Sequence, residues 1–220
     1  MKPRFSNQRN HALTLVEVLV VVGVLAVLAA LFLPALLPPR RVVSHINCVN
    51  NLKEIGLAYR IWAGDNNDKF PMQVSITDTN GGTMELAATG NVVATFQIMS
   101  NELSMPILLY CTADKDHTHA TNFTTDFSAK NISYFVGMDA DQNYPQRVLS
   151  GDDNFEISGV PVKSGLLEFS TNAPISWTAD RHKFAGNIGL ADGSVWQTDD
   201  KSLVQKLQAT GLATNRLAIP

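Results

Sequence analysis

The chain has 220 residues, which is enough for one domain of ordinary size and a further short segment. Its 17 Lys and Arg residues are outnumbered by 20 Asp and Glu residues, and the formal net charge is −3. Without Lys2, Arg4 and Arg9 the formal charge falls to −6, and Arg40-Arg41 is the only remaining basic cluster. We therefore expect no nucleic-acid partner.

A basic leader, residues 1–12, precedes a long apolar segment, Leu13–Leu37, in which Glu17 is the only ionisable residue. As a helix this segment would extend about 37 Å, which is enough to cross a hydrocarbon core of about 30 Å. The basic leader predicts a cytoplasmic N-terminus, because cytoplasmic flanks are enriched in Lys and Arg. Arg40 and Arg41, on the far side of the segment, weaken this orientation.

A cleavable secretory signal is the first alternative for this region, and an uncleaved signal anchor is the second. The apolar run is longer than the roughly 7–15 residues of a typical signal core, which argues against the first. An acid in a membrane span costs about 2.5–3.5 kcal/mol at the bilayer centre and less near the interface. Glu17 should therefore have a positive partner, and the nearest candidate is a positive charge at the start of the segment itself.

The sequence Leu13-Thr14-Leu15-Val16-Glu17 after a short basic leader resembles the class III signal of type IV prepilins and type II secretion pseudopilins. The resemblance implies that a membrane prepilin peptidase cuts between Ala12 and Leu13 and methylates the new amine of Leu13. It also implies that Glu17 faces the amine of a neighbouring subunit. Ala12 stands where the family normally has Gly, and Pro34 matches the proline that kinks the family's spanning helix.

Residues 38–64 predict a second helix, which is amphipathic. Two prolines in PPRR, residues 38–41, predict a kink or a short break before it. Apolar residues then recur at three- and four-residue steps up to Gly64, namely Ile46, Val49, Leu52, Ile55, Tyr59 and Trp62. The resemblance implies a pilin-like α+β fold, in which the long N-terminal helix continues into this amphipathic half and packs on an antiparallel β-sheet.

The domain that follows, residues 65–220, starts with Asp65-Asn66-Asn67-Asp68, which predicts a solvated turn. A structural calcium ion is the alternative, because hard cations bind several oxygens, although the Gly and the distal Glu of an EF-hand loop are missing. Farther along, Met72–Ile76 and Val92–Met99 predict strands.

Cys48 and Cys111 would both lie outside the cytoplasm, where disulfides form. A disulfide between them would contribute about 4 kcal/mol in the chain-entropy model, and two buried thiols are the alternative. The spacing of the cysteines and histidines does not match a zinc site. We therefore expect no metal centre formed by these residues.

The C-terminal region also resembles a group of pseudopilin-like proteins named for a His, nine residues, and then Asp-Gly. Here the motif is His182 with Asp192-Gly193. In that group one cysteine lies on the helix and another precedes a Pro-Ser-Asp-like turn, and Cys48 and Cys111 occupy those places. The resemblance covers the N-terminal signal, the helix after it and several short stretches up to the C-terminus.

The Asp-Gly of this motif lies within Asn187–Gln197, which predicts a β-hairpin around an Asp-Gly turn. Ser133–Gly137 predicts a strand, Ile175–Thr178 a third strand near the hairpin, and Leu149–Asn154 a loop. A final helix over Ser202–Thr210 is predicted from the capping residues Asp199 or Asp200 and from the terminator Gly211.

His182 would lie in the loop that enters the hairpin. The first interpretation is a structural one, in which it bonds to the main chain and fixes that loop. The alternative is a metal or catalytic role with Asp180 or Asp192, although no Gly-x-Ser-x-Gly nucleophile motif accompanies it. His117 and His119 are alternate residues in a polar stretch, where a solvated loop is favoured over a metal site.

Together these features predict a pseudopilin-like structural subunit of the bacterial inner membrane, without enzymatic activity or cofactor. It would cross the membrane once, with its C-terminal domain outside the cytoplasm. Its expected partners are prepilin peptidase, other pseudopilin subunits, inner-membrane lipid, and a secretion or pilus assembly platform. One alternative is a membrane-anchored module that binds carbohydrate or peptide through Trp62, Trp177 and Trp196. The other is a periplasmic enzyme built around His182.

Overall fold

The computed structural model describes residues 14–32 and 40–220, and for residues 31, 32 and 40–44 it describes the backbone alone. The chain forms two compact units, Met1–Arg40 and Arg41–Pro220. The predicted leader, the cleavage site between Ala12 and Leu13, and the kinking residue Pro34 all lie outside the described residues.

Helix α1, Leu15–Phe32, is the described part of the N-terminal apolar segment. The backbone N–H of Glu17 donates to Thr14 Oγ1 at 3.3 Å, which satisfies one of the donors that the first turn of a helix leaves open. Apolar side chains are exposed along α1, from Leu15 at 76% to Leu28 at 43%. No helix among the described residues has the combination of length and apolar content needed to cross a membrane.

Helix α2, Arg40–Gly64, begins the second unit. One of its faces is buried in the core and carries Leu52, Ile55, Tyr59 and Trp62, each at most 5% exposed. The helix ends in the predicted turn. There Asn67 and Asp68 have φ angles of 57° and 58°, and the Asn66 side chain donates to the Trp62 carbonyl at 2.7 Å.

Short helices fill the segment between α2 and the first strand. They are the 3₁₀ helices Pro71–Gln73, Pro106–Leu109 and Ala129–Asn131 and the α-helices α3 (Met84–Ala87), α4 (Val92–Ile98) and α5 (Ser100–Leu103). The two strands predicted in this segment were wrong. In α4 the Asn91 side chain caps the helix by accepting from the Ala94 N–H at 3.1 Å. This cap favours a helix although the β-branched residues that follow it favour a strand.

Among the described residues, nine strands form two antiparallel sheets, one of six strands in the order β5-β9-β1-β2-β7-β8 and one of three in the order β4-β3-β6. The antiparallel α+β domain predicted from the sequence is thus confirmed. The strands are β1 (Tyr134–Gly137), β2 (Val148–Asp152), β3 (Phe155–Ile157), β4 (Val160–Pro161), β5 (Gly165–Ser170), β6 (Ile175–Trp177), β7 (Gly186–Leu190), β8 (Val195–Thr198) and β9 (Thr214–Ile219).

The loop predicted at Leu149–Asn154 was wrong, because most of it is the central strand β2. Its polar side chains are bonded within the sheet: Ser150 Oγ donates to the Phe135 carbonyl at 2.8 Å, and Asp152 accepts from Asn187. Ile175–Trp177 is a strand, but it pairs with β3 in the smaller sheet and not beside the hairpin.

The predicted hairpin corresponds to β7 and β8, whose turn contains Gly193 at φ 85°. Helix α6, Asp200–Ala209, follows and is capped by the Asp199 side chain. The core is divided into two clusters, because successive strand residues face opposite sides of the larger sheet. Tyr134 and Val136 pack in the cluster that contains the buried face of α2, whereas Phe135 packs in the cluster that contains α6 and the smaller sheet.

Candidate functional site

A disulfide joins Cys48 on α2 to Cys111, which follows the 3₁₀ helix Pro106–Leu109. The two Cα atoms are 5.5 Å apart, and neither cysteine is exposed to solvent. The backbone N–H of Cys111 donates to Ser133 Oγ at 3.0 Å, next to strand β1. The disulfide therefore fastens α2 to the segment that enters the larger sheet.

His182, in the loop between β6 and β7, packs against this disulfide and is 5% exposed. Its Nε2 atom lies 3.5 Å from Cys111 Sγ and 3.6 Å from Asp152 Oδ2, and the ring of His45 lies 3.9 Å away between centroids. Within the described part of the chain its Nδ1 atom is buried without a hydrogen-bond partner. The main-chain bond expected for this side chain is not formed there.

The electrostatic surroundings keep the His182 imidazole neutral. Burial, together with His45 and the positive charge of Arg181, lowers its pKa to about 4. Burial also lowers the pKa of His45, although the hydrogen bond between His45 and the His182 main chain acts in the opposite direction. Asp152, by contrast, is fully buried, and burial raises its pKa to about 7 despite Arg181 and the bonds from Asn187.

Arg181 holds a network of buried carboxylates beside His182. Its guanidinium pairs with Asp114 Oδ2 at 2.6 Å and with Asp153 Oδ1, and it donates to the Ser133 carbonyl at 2.8 Å. His117 Nδ1 lies 2.9 Å from the same Asp114 oxygen. Burial would raise the pKa of Asp114, but the bond from His117 and the charge of Arg181 hold it well below its usual range. In turn, the bond to Asp114 raises the pKa of His117.

The site residues that were predicted from the sequence do not all lie together. His182 lies in the cluster with Cys48 and Cys111, whereas Asp192 lies in the hairpin turn, where its side chain accepts from the Ser194 N–H at 2.8 Å. Within the described residues no hydrogen bond or ion pair joins His182 to Asp192 or to Asp180. Glu17 lies in the other unit, exposed on α1.

The three tryptophans do not form a common platform. Trp62 and Trp177 are 5% and 1% exposed, and only Trp196 is accessible, with Lys206 Nζ 3.4 Å from its ring centroid. The buried pair cannot contact a carbohydrate or a peptide. The binding-module alternative thus loses the surface on which it was based.

Sequence reasoning missed the role of Arg181 and of its partners Asp114 and Asp153. The sequence contained one signal for this network: Arg181 is adjacent to His182, and of two consecutive acids Asp152 ends strand β2 and Asp153 follows it. These residues can be recognised as a network only when β2 is known to be a strand, and this stretch was predicted to be a loop.

Comparison with known proteins identifies one feature. Residues 7–33 match the prokaryotic N-terminal methylation motif. The chain therefore carries the N-terminal signal of type IV prepilins and pseudopilins, as the resemblance at Leu13–Glu17 predicted. Such a signal implies processing by prepilin peptidase, attachment to the inner membrane and assembly with other pilin-type subunits. Neither the curated proteins nor the solved structures provide a significant match to the chain.

Proposed function

We propose that the chain is a pseudopilin-like structural subunit. Prepilin peptidase would cut it between Ala12 and Leu13 and methylate Leu13. The Leu13–Leu37 helices would then pack laterally into a type II secretion pseudopilus or a type IV pilus-like filament. The observation that supports this most strongly is the prokaryotic N-terminal methylation motif over residues 7–33.

The character of α1 supports assembly through this segment. A helix that is apolar on all sides needs lipid or other helices around it, and the apolar side chains of α1 are exposed. In the proposed arrangement the segment first crosses the inner membrane, with the N-terminus in the cytoplasm. In the filament, neighbouring copies of the helix take the place of lipid.

Glu17 selects the axial register in this proposal. An acid in a hydrocarbon environment is costly unless it is paired, and the methylated amine of Leu13 in a neighbouring subunit is the partner. Assembly that brings the two together is favoured over other registers, which leave the carboxylate unpaired. The exposed position of Glu17 in the first turn of α1 is compatible with such a contact.

The second unit, Arg41–Pro220, would lie outside the cytoplasm, and its buried disulfide supports that location because disulfides persist in oxidising compartments. We propose no enzymatic activity for this unit. His182, the residue on which an enzyme would have been built, is 5% exposed and so offers a substrate little access.

Replacement of Glu17 tests the proposal, with Glu54→Ala as the matched control, because Glu54 is an exposed acid on α2. Glu17→Ala should insert and be processed, so that mass spectrometry finds a chain starting at N-methyl-Leu13, but it should form no filaments. Glu54→Ala should form filaments like the wild type.

Normal filaments from Glu17→Ala would contradict the ion-pair mechanism, and an intact Met1 terminus would contradict the processing. Failure of neighbouring wild-type helices to crosslink would contradict assembly and favour a monomeric, membrane-anchored domain.

A further inference from the structure

Three metal-binding side chains converge under α2. The sulfurs of Cys48 and Cys111 and a ring nitrogen of His182 all lie within 4.8 Å of one another. All three residues are at most 5% exposed. They come from a helix, from the segment before β1 and from the loop before β7. Their spacing along the chain therefore matches no zinc motif, although the three side chains converge in space.

Two thiolates and one imidazole are a known ligand set for Zn²⁺, with bonds of about 2.3 Å to sulfur and about 2.0–2.1 Å to nitrogen. Around a tetrahedral ion these lengths place a sulfur and a nitrogen about 3.5 Å apart and two sulfurs about 3.8 Å apart. The Cys111 Sγ and His182 Nε2 atoms are already 3.5 Å apart. Breaking the disulfide and separating the two sulfurs is therefore the main change that binding requires.

We propose that the reduced protein binds Zn²⁺ or a similar thiophilic divalent ion through Cys48, Cys111 and His182, and that disulfide and metal are alternative occupants of this one site. A dithiol reductant supplies two electrons and two protons to break the disulfide, and is itself oxidised to a disulfide. The two thiols then release their two protons as the ion binds. In the reverse direction, a disulfide oxidant accepts two electrons from the thiolates and two protons from solvent and becomes a dithiol, the Cys48–Cys111 disulfide forms again, and the ion is released.

The surroundings of His182 leave one ring nitrogen for the ion. Nε2 faces Cys111 Sγ at 3.5 Å. Nδ1 is buried without a hydrogen-bond partner in the described part of the chain, so it lacks the acceptor that usually fixes a metal-bound histidine. The imidazole of His45 lies against the ring at 3.9 Å between centroids. Three protein ligands leave the fourth position of a tetrahedral ion to another donor, and both His45 and Asp152 Oδ2, 3.6 Å from Nε2, lie next to His182.

Cobalt binding tests the proposal on the purified full chain in detergent. After reduction by a phosphine, which does not compete as a thiol ligand, Co²⁺ should produce the absorption of thiolate-to-metal charge transfer, and Zn²⁺ should remove it. The oxidised protein should show neither effect. His182→Asn should weaken Co²⁺ binding at least about tenfold, since loss of second-shell partners alone costs that much in metal sites. His119→Asn, which changes an exposed histidine, should bind like the wild type.

Circular dichroism of the reduced protein gives the necessary control, because the fold must persist for the site to exist. Zn²⁺ should also raise the melting temperature of the reduced protein and leave that of the oxidised protein unchanged. Absence of the charge-transfer band from a reduced, folded protein would overturn the proposal, as would unfolding on reduction that Zn²⁺ does not reverse. Equal Co²⁺ affinity in the His182→Asn variant would remove His182 from the site. None of these measurements depends on filament assembly.

Discussion

Loss of the crosslink between Cys48 and Cys111 should be the most damaging small change to the outer unit. The two residues are 63 positions apart, and a closed loop of that length restricts the unfolded chain by about 4 kcal/mol in the chain-entropy model. Total stabilities of domains are about 5–15 kcal/mol, so this loss removes a large share of the total. We expect Cys48→Ala/Cys111→Ala to lower the free energy of unfolding by about 4 kcal/mol.

Chemical denaturation followed by tryptophan fluorescence measures this loss on the full chain in detergent. All three tryptophans lie in Arg41–Pro220, so the signal reports on the unit that contains the disulfide. The reduced wild type, with a chelator present, separates the crosslink from the lost sulfur packing, since it keeps both sulfurs. A loss below about 1 kcal/mol in both the variant and the reduced protein would refute the argument from loop closure.

Two further predictions concern the neighbourhood of His182 and strand β7. The pKa of His182 is about 4 in the native protein against 6.5 for the ordinary side chain, so between these values the unfolded chain binds more protons at this residue and its contribution to native stability falls as the pH drops. Buried Asp152, whose pKa is raised to about 7, contributes with the opposite sign. In denaturation curves from pH 7 to pH 4, His182→Asn should therefore gain stability relative to the wild type as the pH drops, whereas a constant difference would place the titration elsewhere. Gly186→Ala should destabilise by about 1–3 kcal/mol through overpacking, because its Cβ would lie 2.4 Å from the Trp177 ring. Gly189→Ala on the same strand, with its nearest atom 3.5 Å away, should cost much less, and equal losses would contradict the packing argument.

The N-terminal signal was predictable because the peptidase that reads it recognises a linear stretch of residues. The buried stripe of α2 was predictable for a similar reason, since helical periodicity is a local property of Leu52, Ile55 and Tyr59. Both features depend on residues close together in the chain. Neither requires knowledge of what lies opposite them.

The errors occurred where distant partners decide the conformation. Strand β2 contains Ser150, Gly151 and Asp152, a composition typical of a loop. It is nevertheless a central strand, in which Ser150 bonds to the Phe135 carbonyl and Asp152 Oδ2 accepts from Asn187 on the neighbouring strands. The convergence of Cys48, Cys111 and His182 also depends on distant partners. The three residues meet only once α2, the segment before β1 and the loop before β7 have packed, so residue spacing could not predict their proximity.

The spacing between His182 and Asp192-Gly193 has a structural explanation, because both ends of the motif contact α2. His182 lies against His45 at one end. At the other end, a Cβ on Gly56 would lie 3.6 Å from the Gly193 Cα, and Arg60 donates to the Asp192 carbonyl at 3.2 Å.

The strand between the two contacts is long enough to reach both. From His45 to Gly56 the helix rises about 16 Å, and the four steps of β7 span about 13 Å at about 3.3 Å each. Residues 183–185 and 191 link the strand to His182 and Asp192. A packing requirement of this kind explains why the motif's His and Asp need not meet as a catalytic pair.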